Sequence, residues 1–370
     1  FQLALAVFLV AFFWWIANNT ITNLKRANIA SGFGFLGNRA GFEILTSVIP
    51  YSSDMSYGRA FVVGLLNTLY VAILGIIFAT ILGFVVGIAR LSRNWIIAKI
   101  ATVYVEFFRN IPLLLQLLFW YKAVLSVLPG PRQSFAIPGV AFLSNRGLIF
   151  AKPYIEPGGG VVAIAFVVAI VICALLARWA KRRFLETGQP FPVLRYVPLI
   201  LLGLPLVVGL AIGARFGVSV PELAGFNFRG GASITPVFLA LMLGLVVYTA
   251  AFIAEIVRAG ILAVSHGQTE ASSSLGLDRS KTLRLVVVPQ AMRVIIPPLT
   301  NQYLNLTKNS SLAVAIGYPD LVSIFAGTVL NQTGQAVEVI MMTMAVYLTM
   351  SLLTSAFMNW FNSRIALKER

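Results

Sequence analysis

Long apolar runs separated by short polar ones dominate the chain. Eight stretches, Leu3–Ala17, Phe61–Ala89, Tyr104–Leu128, Val161–Ala180, Val197–Ile212, Ile234–Leu262, Val294–Ile316 and Val337–Phe361, are apolar over most of their length. A helix needs roughly 20 such residues to cross a hydrocarbon core of about 30 Å. The runs are too long for strands, and no alternation of polar and apolar positions over roughly ten residues suggests a β-barrel. The pattern therefore predicts an all-α polytopic membrane protein with about eight transmembrane helices. The first run is short and the chain begins at Phe1 without a Met, so its natural start is expected further upstream. A cleaved signal peptide is the alternative for that segment. Against it, Ala17-Asn18-Asn19 follows an aromatic cluster at Phe12–Trp15 and offers no small-x-small cleavage site.

Composition agrees with the pattern. Of 370 residues, 59% are hydrophobic and 11% charged, with a mean hydropathy of +0.89. A soluble domain carries about 25% charged residues, so a water-soluble globule is excluded. Lys and Arg number 28 against 12 Asp and Glu, a formal charge of +16. In a soluble protein that excess would suggest nucleic acid; here it sorts loops across a bilayer, and no nucleic-acid partner is expected. The richer set of loops holds Arg90, Arg93, Lys99, Arg178, Lys181, Arg182, Arg183, Arg195, Arg258, Arg279, Lys281, Arg284, Arg293, Arg364, Lys368 and Arg370. The poorer set holds Lys25, Arg26, Arg39, Arg59, Arg132, Arg146, Lys152, Arg215 and Arg229. The richer set is predicted cytoplasmic, together with both termini and the long loop between the sixth and seventh spans. A single Cys and a single His exclude a disulfide framework and a Cys/His metal cluster within this chain.

The outer loops are rich in turn residues. Asn18–Arg59 carries Gly, Asn and Ser (Ala30-Ser31-Gly32-Phe33-Gly34-Phe35), and Pro129–Gly160 carries Pro129, Pro131, Pro138, Pro153, Pro157 and Gly158–Gly160. Shielding a helix bundle and gripping a partner are equally good readings of such long loops.

The sequence contains no Gly-Lys dipeptide, hence no phosphate-cradling P-loop. Any use of ATP must come from another subunit. The loop from His266 to Ala291 parses as two short helices. Gln268–Leu275 is the first, with Gly276 where a left-handed C-terminal cap is wanted. Asp278 is placed to cap the second, which is expected to end before Pro289. Small residues near Glu270 and Ala271 would let a partner's backbone approach closely; an ordinary interfacial helix is the plainer alternative.

Glu270-Ala271, Gly276 and Pro289 resemble the EAA loop of ABC-importer permeases, the coupling helix that seats in a cleft of the ATPase subunit. Val105-Glu106-Phe107-Phe108-Arg109-Asn110-Ile111-Pro112-Leu113-Leu114-Leu115-Gln116 is similar to the third-span signature of polar amino-acid permeases. Ala254-Glu255-Ile256-Val257-Arg258-Ala259-Gly260-Ile261 resembles the segment before their EAA loop, and Pro289-Gln290-Ala291 through Lys308-Asn309-Ser310-Ser311-Leu312 resembles the segment after it. The likeness covers roughly Arg59–Leu128 and Ile234–Phe361. The Asn18–Arg59 loop and the inserted fourth and fifth spans look like the larger permease of the general L-amino-acid type, which pairs with a second, different permease. Ser272-Ser273 departs from the Ala and other residues found in many relatives.

The resemblance implies a type I ABC-importer permease core with extra helices. On it the chain divides into an N-terminal helix and periplasmic loop (1–58), a first core part (59–128), an insertion of a loop and two helices (129–233), and a second core part (234–370) with the EAA loop at 263–290. The ATPase-coupling residues it marks are Gly267, Gln268, Glu270, Ala271, Leu275 and Gly276. The implied setting is a bacterial inner membrane. The implied partners are a second homologous permease, an ABC ATPase dimer holding ATP and Mg, a periplasmic amino-acid-binding protein and the L-amino acid itself. No covalent chemistry, cofactor or metal is expected on this chain.

Ionisable groups at membrane depth are costly and mark function. Glu255 and Arg258 lie at i and i+3 on one helix face; Asn301, Asn305 and Lys308 form a polar stripe on the seventh span. A zwitterion's ammonium would suit Glu255, and its carboxylate would suit Arg258, Lys308 or Ser310; Gln116 is expected to line the cavity. The competing reading pairs Glu255 with Arg258 structurally and lets Lys308 snorkel. Glu106 and Arg109 read as a structural ion pair or gate brace. Asp320 and Glu338 are expected to meet solvent or the binding protein at the outer face. Pro297-Pro298 should loosen the seventh span. Two rival functions remain: an ion-coupled secondary transporter of small zwitterions, and a membrane scaffold, which would leave the polar stripe unexplained.

Overall fold

The computed structural model describes residues 2–26, 31–137 and 139–365. Ala30, Pro138, Lys368 and Arg370, named above among the loop and charge features, lie outside the described residues. The helices, in chain order, begin with α1 (Gln2–Arg26), α2 (Tyr57–Ala89), α3 (Trp95–Asn110) and α4 (Leu113–Leu118). They continue with α5 (Gly159–Thr187), α6 (Val193–Ala211), α7 (Pro236–Leu262) and α8 (His266–Ser274). The last four are α9 (Arg279–Thr282), α10 (Val288–Asn309), α11 (Leu330–Thr333) and α12 (Ala336–Ile365). Among the described residues seven helices are long and apolar enough to cross a membrane, or up to eight if the bent pair at Trp95–Leu125 is one span. The chain forms two compact units, Phe1–Val127 with Thr235–Arg370, and Leu128–Ile234.

In the first unit, α2 and α7 pack most extensively. The reason is a stripe of small residues on α2: Gly75, Ala79, Gly83 and Gly87 recur every fourth position and are all buried, with Gly83 and Gly87 against α7 and Gly75 against Leu306 of α10. A Cβ on Gly83 would stand 2.5 Å from Ile253 Cγ2, and one on Gly87 would stand 2.7 Å from the Ala254 carbonyl. Between helices in lipid, close backbone approach of this kind supplies the dispersion contact that hydrophobicity cannot.

The expected third span, Tyr104–Leu128, is not one helix. α3 and the Leu113–Leu125 helix meet at a bend of 106°. Pro112 forces extended backbone on Ile111 (φ −102°, ψ 127°), which ends α3. Gln116 repairs the break: its Nε2 donates to the Phe108 and Ile111 carbonyls at 3.0 and 2.9 Å.

The helix after Asp278 does not end before Pro289. It runs from α9 through a π-helical segment, Leu283–Val287, into α10. In that wider turn the Val288 N–H reaches the Leu283 carbonyl, so the ladder is already displaced where Pro289 lacks a donor. Pro297 and Pro298 both lie inside α10 without ending it.

The segment after α1 is packed against helix ends. Phe35, Ala40 and Ile44 join Tyr57, Ala60, Val63, Leu321, Phe325, Val329 and Val339 in one apolar cluster. A further π-helical stretch, Val322–Val329, leads into α11.

The second unit holds α5, α6 and short strands where the sequence showed only turn chemistry. β1 (Phe135–Ile137), β2 (Ala141–Ser144), β3 (Gly147–Phe150) and β8 (Ala232–Ile234) form an antiparallel sheet in that order. β4 (Lys152–Glu156) pairs with β5 (Arg215–Ser219), and β6 (Glu222–Ala224) with β7 (Asn227–Arg229). Strands of three to five residues are too short to print a readable alternation.

Candidate functional site

The loop expected to couple to a partner is built as two helices. α8 ends at Ser274, and Gly276 just beyond it has a φ of +74°, the left-handed conformation that closes a helix C-terminus. Asp278 Oδ1 accepts from the Lys281 N–H at 2.9 Å and caps α9. These hydrogen bonds and the Lys281 ammonium, 3.0 Å away, hold the Asp278 carboxyl below its ordinary range. Ser272 is buried between the two helices and bonds Thr282 Oγ1 at 3.1 Å, so the serine that departs from many relatives is a tie rather than a defect. Gly267, Gln268, Glu270, Ala271, Leu275 and Gly276 are all exposed, and Leu275 is 81% exposed despite being apolar. Gln268, Ala271 and Leu275 fall at i, i+3 and i+7, on one face.

At the end of α7 that leads into this loop lies an ionic network. Glu255 accepts from Arg258 at 2.7 Å and from Arg90 Nη1 on the neighbouring helix end. Arg90 caps α2 one turn past Gly87, so the small-residue contact between α2 and α7 delivers it to Glu255. Arg90 also lies 3.8 Å from Glu106. The Arg90 side chain is 9% exposed, which makes Glu255 its necessary counter-charge. The expected Glu106–Arg109 pair is not formed. Arg109 instead lies over the Phe252 ring, 5.3 Å from its centroid, because α3 turns the two side chains to different neighbours. Glu255, weighed as a substrate ligand, pairs with both Arg258 and Arg90, and Arg258 pairs with Glu255.

The polar stripe of α10 is placed differently. Asn301, Asn305 and Lys308 are exposed, within a helical run of membrane length, Arg279–Ile316. Beside Lys308 is a groove of about 490 Å³ lined by Ser311, Val322, Thr343, Met344, Tyr347, Leu348 and Ser351. Ser310, nominated from the sequence, is buried and donates to the Thr307 carbonyl; its neighbour Ser311 faces the groove. Gln116, also nominated, is buried at the α3 break with its amide committed to backbone carbonyls. The sequence reading missed Arg90, Thr343, Tyr347 and Ser351. The last three recur every fourth residue on α12, a signal as legible as the α10 stripe.

Asp320 and Glu338 are buried rather than at a wet surface. Asp320 caps the helix beginning at Leu321, accepting from the Ser323 N–H at 2.8 Å, and its other oxygen accepts from Tyr347 Oη at 3.2 Å. Burial raises its carboxyl pKa to about 6. Glu338 accepts from the Gly32 N–H, fastening the segment after α1.

A bundle of membrane-length helices with an exposed capped helix pair and a groove edged by Lys308 defines a polytopic membrane protein. The chain belongs to the family described as binding-protein-dependent transport system inner membrane component, whose model matches residues 169–367. It is 56% identical over its whole length to the general L-amino acid transport system permease AapQ of Rhizobium johnstonii, covering 92% of that protein. It is 41% identical to the glutamate/glutamine/aspartate/asparagine transport system permease BztB of Rhodobacter capsulatus, again over its whole length and 93% of the relative. A solved amino acid ABC transporter, crystallised with histidines, shares the fold: TM-score 0.50 at 22% identity, over 83% of this chain and 95% of that one. The chain is thus a permease of an ABC transport system, and an ion-coupled carrier is not favoured.

Proposed function

We propose that this chain is one of two different permease subunits that together move L-amino acids across a bacterial inner membrane. In this reading, ATP and Mg are held by an ABC ATPase dimer, and a periplasmic binding protein delivers the substrate. The observation that carries it is the exposed Asn301–Asn305–Lys308 face of α10 beside the groove. Polar and charged side chains at membrane depth face protein or water, not hydrocarbon, so this face borders an aqueous path or a second subunit. Lys308 supplies the cation for a substrate carboxylate. The hydroxyls of Thr343, Tyr347 and Ser351 supply partners for its ammonium, and Met344 and Leu348 leave an apolar wall for the side chain.

Closure of the ATPase dimer on ATP draws the paired α8 helices together, and the bundle switches from inward-open to outward-open. Both chain ends and the α8–α9 loop are cytoplasmic in this arrangement, following the basic residues. The test places a bulky residue on the exposed α8 face. Ala271→Trp, or Glu270→Lys, is expected to lower ATPase co-purification or to uncouple hydrolysis from uptake. Import and substrate-stimulated hydrolysis at wild-type rates in both variants would remove the docking role.

A further inference from the structure

We propose that the α5–α6 hairpin carries a docking site for anionic phospholipid headgroups at the tip where the two helices join. Arg178, Lys181 and Arg182 are exposed, at i, i+3 and i+4 on the last turns of α5, with Arg183 half-buried beside them. Arg195 enters from the first turn of α6. The register that sets Cys173 against the Val197 carbonyl and Trp179 against Phe191 brings Arg195 to within about one helical turn of Arg178. Glu186 is the one acidic residue of Arg178–Arg195, and among the described residues none of these five cations is in a salt bridge.

The neighbourhood says which anion fits. Interleaved with the cations is an aromatic cluster: Phe191 stacks on Tyr196 at 5.2 Å, Trp179 meets Phe191 edge-on at 5.3 Å, and Arg183 lies over Trp179. Aromatic rings of this kind sit at the headgroup level of a bilayer. Below them the faces of α5 and α6 are apolar and open: Ile164, Val167, Val171, Leu199 and Leu202 are all exposed. Such a surface meets acyl chains. The lipid whose tail lies on it places its headgroup at the rings and the cations, so the charge and the apolar face select one molecule. An acidic protein would match the charge alone and leave the continuity with the apolar face unused.

The test titrates the purified full-length complex in neutral detergent with phosphatidylglycerol or phosphatidylcholine and counts bound lipids by native mass spectrometry. A cation near a membrane surface raises anion partitioning roughly five-fold, so a preference for phosphatidylglycerol of at least about five-fold is expected. The triple variant Arg178→Gln, Lys181→Gln, Arg182→Gln should lose it, while Arg178→Lys with Arg182→Lys should keep it. A second triple variant, Arg132→Gln, Arg146→Gln, Lys152→Gln, removes the same charge elsewhere in the unit and should also keep it. Equal affinity for the two lipids in the wild type overturns the proposal, as does an undiminished preference in the hairpin triple. An equal loss in both triples overturns it too, since net charge would then be the cause. Loss of a co-purifying protein from the hairpin triple, without lipid preference in the wild type, assigns the cations to that protein instead.

Discussion

The α2–α7 pair and the α5–α6 pair are both built of membrane-length apolar helices, yet they are written in opposite ways. Over its most apolar stretch α7 is 56% buried, while α6 is 6% buried. Hydrophobicity does not separate the two cases, because lipid tails are as apolar as leucine. What separates them is the size of the residues at the contact. α2 presents Gly75, Ala79, Gly83 and Gly87 to its neighbours; the middle of α5 and α6 presents Val, Ile and Leu to the outside. α2 buries a run of four small residues, while α6 buries only Pro205 and Gly209.

A matched pair of glycine substitutions tests this contrast most severely. Gly83→Leu drives its side chain into Ile253 and should cost several kcal/mol, leaving an aggregated or unfolded bundle by size exclusion in detergent. Gly203→Leu on α6 meets nothing within 4 Å and should elute as wild type. Equal tolerance of both would erase the distinction between the pairs.

Next in size is the polar face of α10 beside the groove. Lys308→Leu with Asn305→Leu should abolish uptake while the complex still assembles, as read by liposome transport and co-purification. Retained transport would demote the stripe to packing. Glu255→Gln leaves the poorly exposed Arg90 with only the more distant Glu106 carboxylate and should destabilise by about 1–3 kcal/mol, the cost of a buried polar group left unsatisfied. Adding Arg90→Gln should recover part of that loss in thermal melts. If the double variant is no better than the sum of the singles, the two groups are not coupled.

The smallest effect is a pH dependence from Asp320. Its folded pKa, about 6, lies above the ordinary carboxylate value, so the fold holds a proton that the unfolded chain has released. That preference costs nothing below pH ~4, where both states are protonated. Stability then falls as pH rises towards 6 and stays lower above it. Asp320→Asn should flatten the profile in thermal melts between pH 4 and 7.

Much of the fold was legible because lipid demands long uninterrupted runs, and the caps of α8 and α9 were legible because Gly276 and Asp278 act locally. The break at Ile111-Pro112 was hidden inside an apolar run, since hydropathy reports length and not direction. The strands of the second unit were invisible for want of length. Among site residues, the exposed face at Gln268–Leu275 followed from its punctuation. The fate of Glu255 did not, because Arg90 is distant in sequence and reaches it through a helix contact. Ser310 and Ser311 show the limit well: two identical neighbours, one buried and one facing the groove, differ only in helical phase.

The π-helical segment ahead of Pro289 has a structural consequence. By letting the helix pass the proline, it joins the tail of the α8–α9 loop to α10 in one run of 38 residues. At about 1.5 Å per residue that is close to 57 Å, nearly twice the hydrocarbon thickness. Such a run puts the α9 cap and Lys308 on one continuous helical element, with no non-helical residue between them.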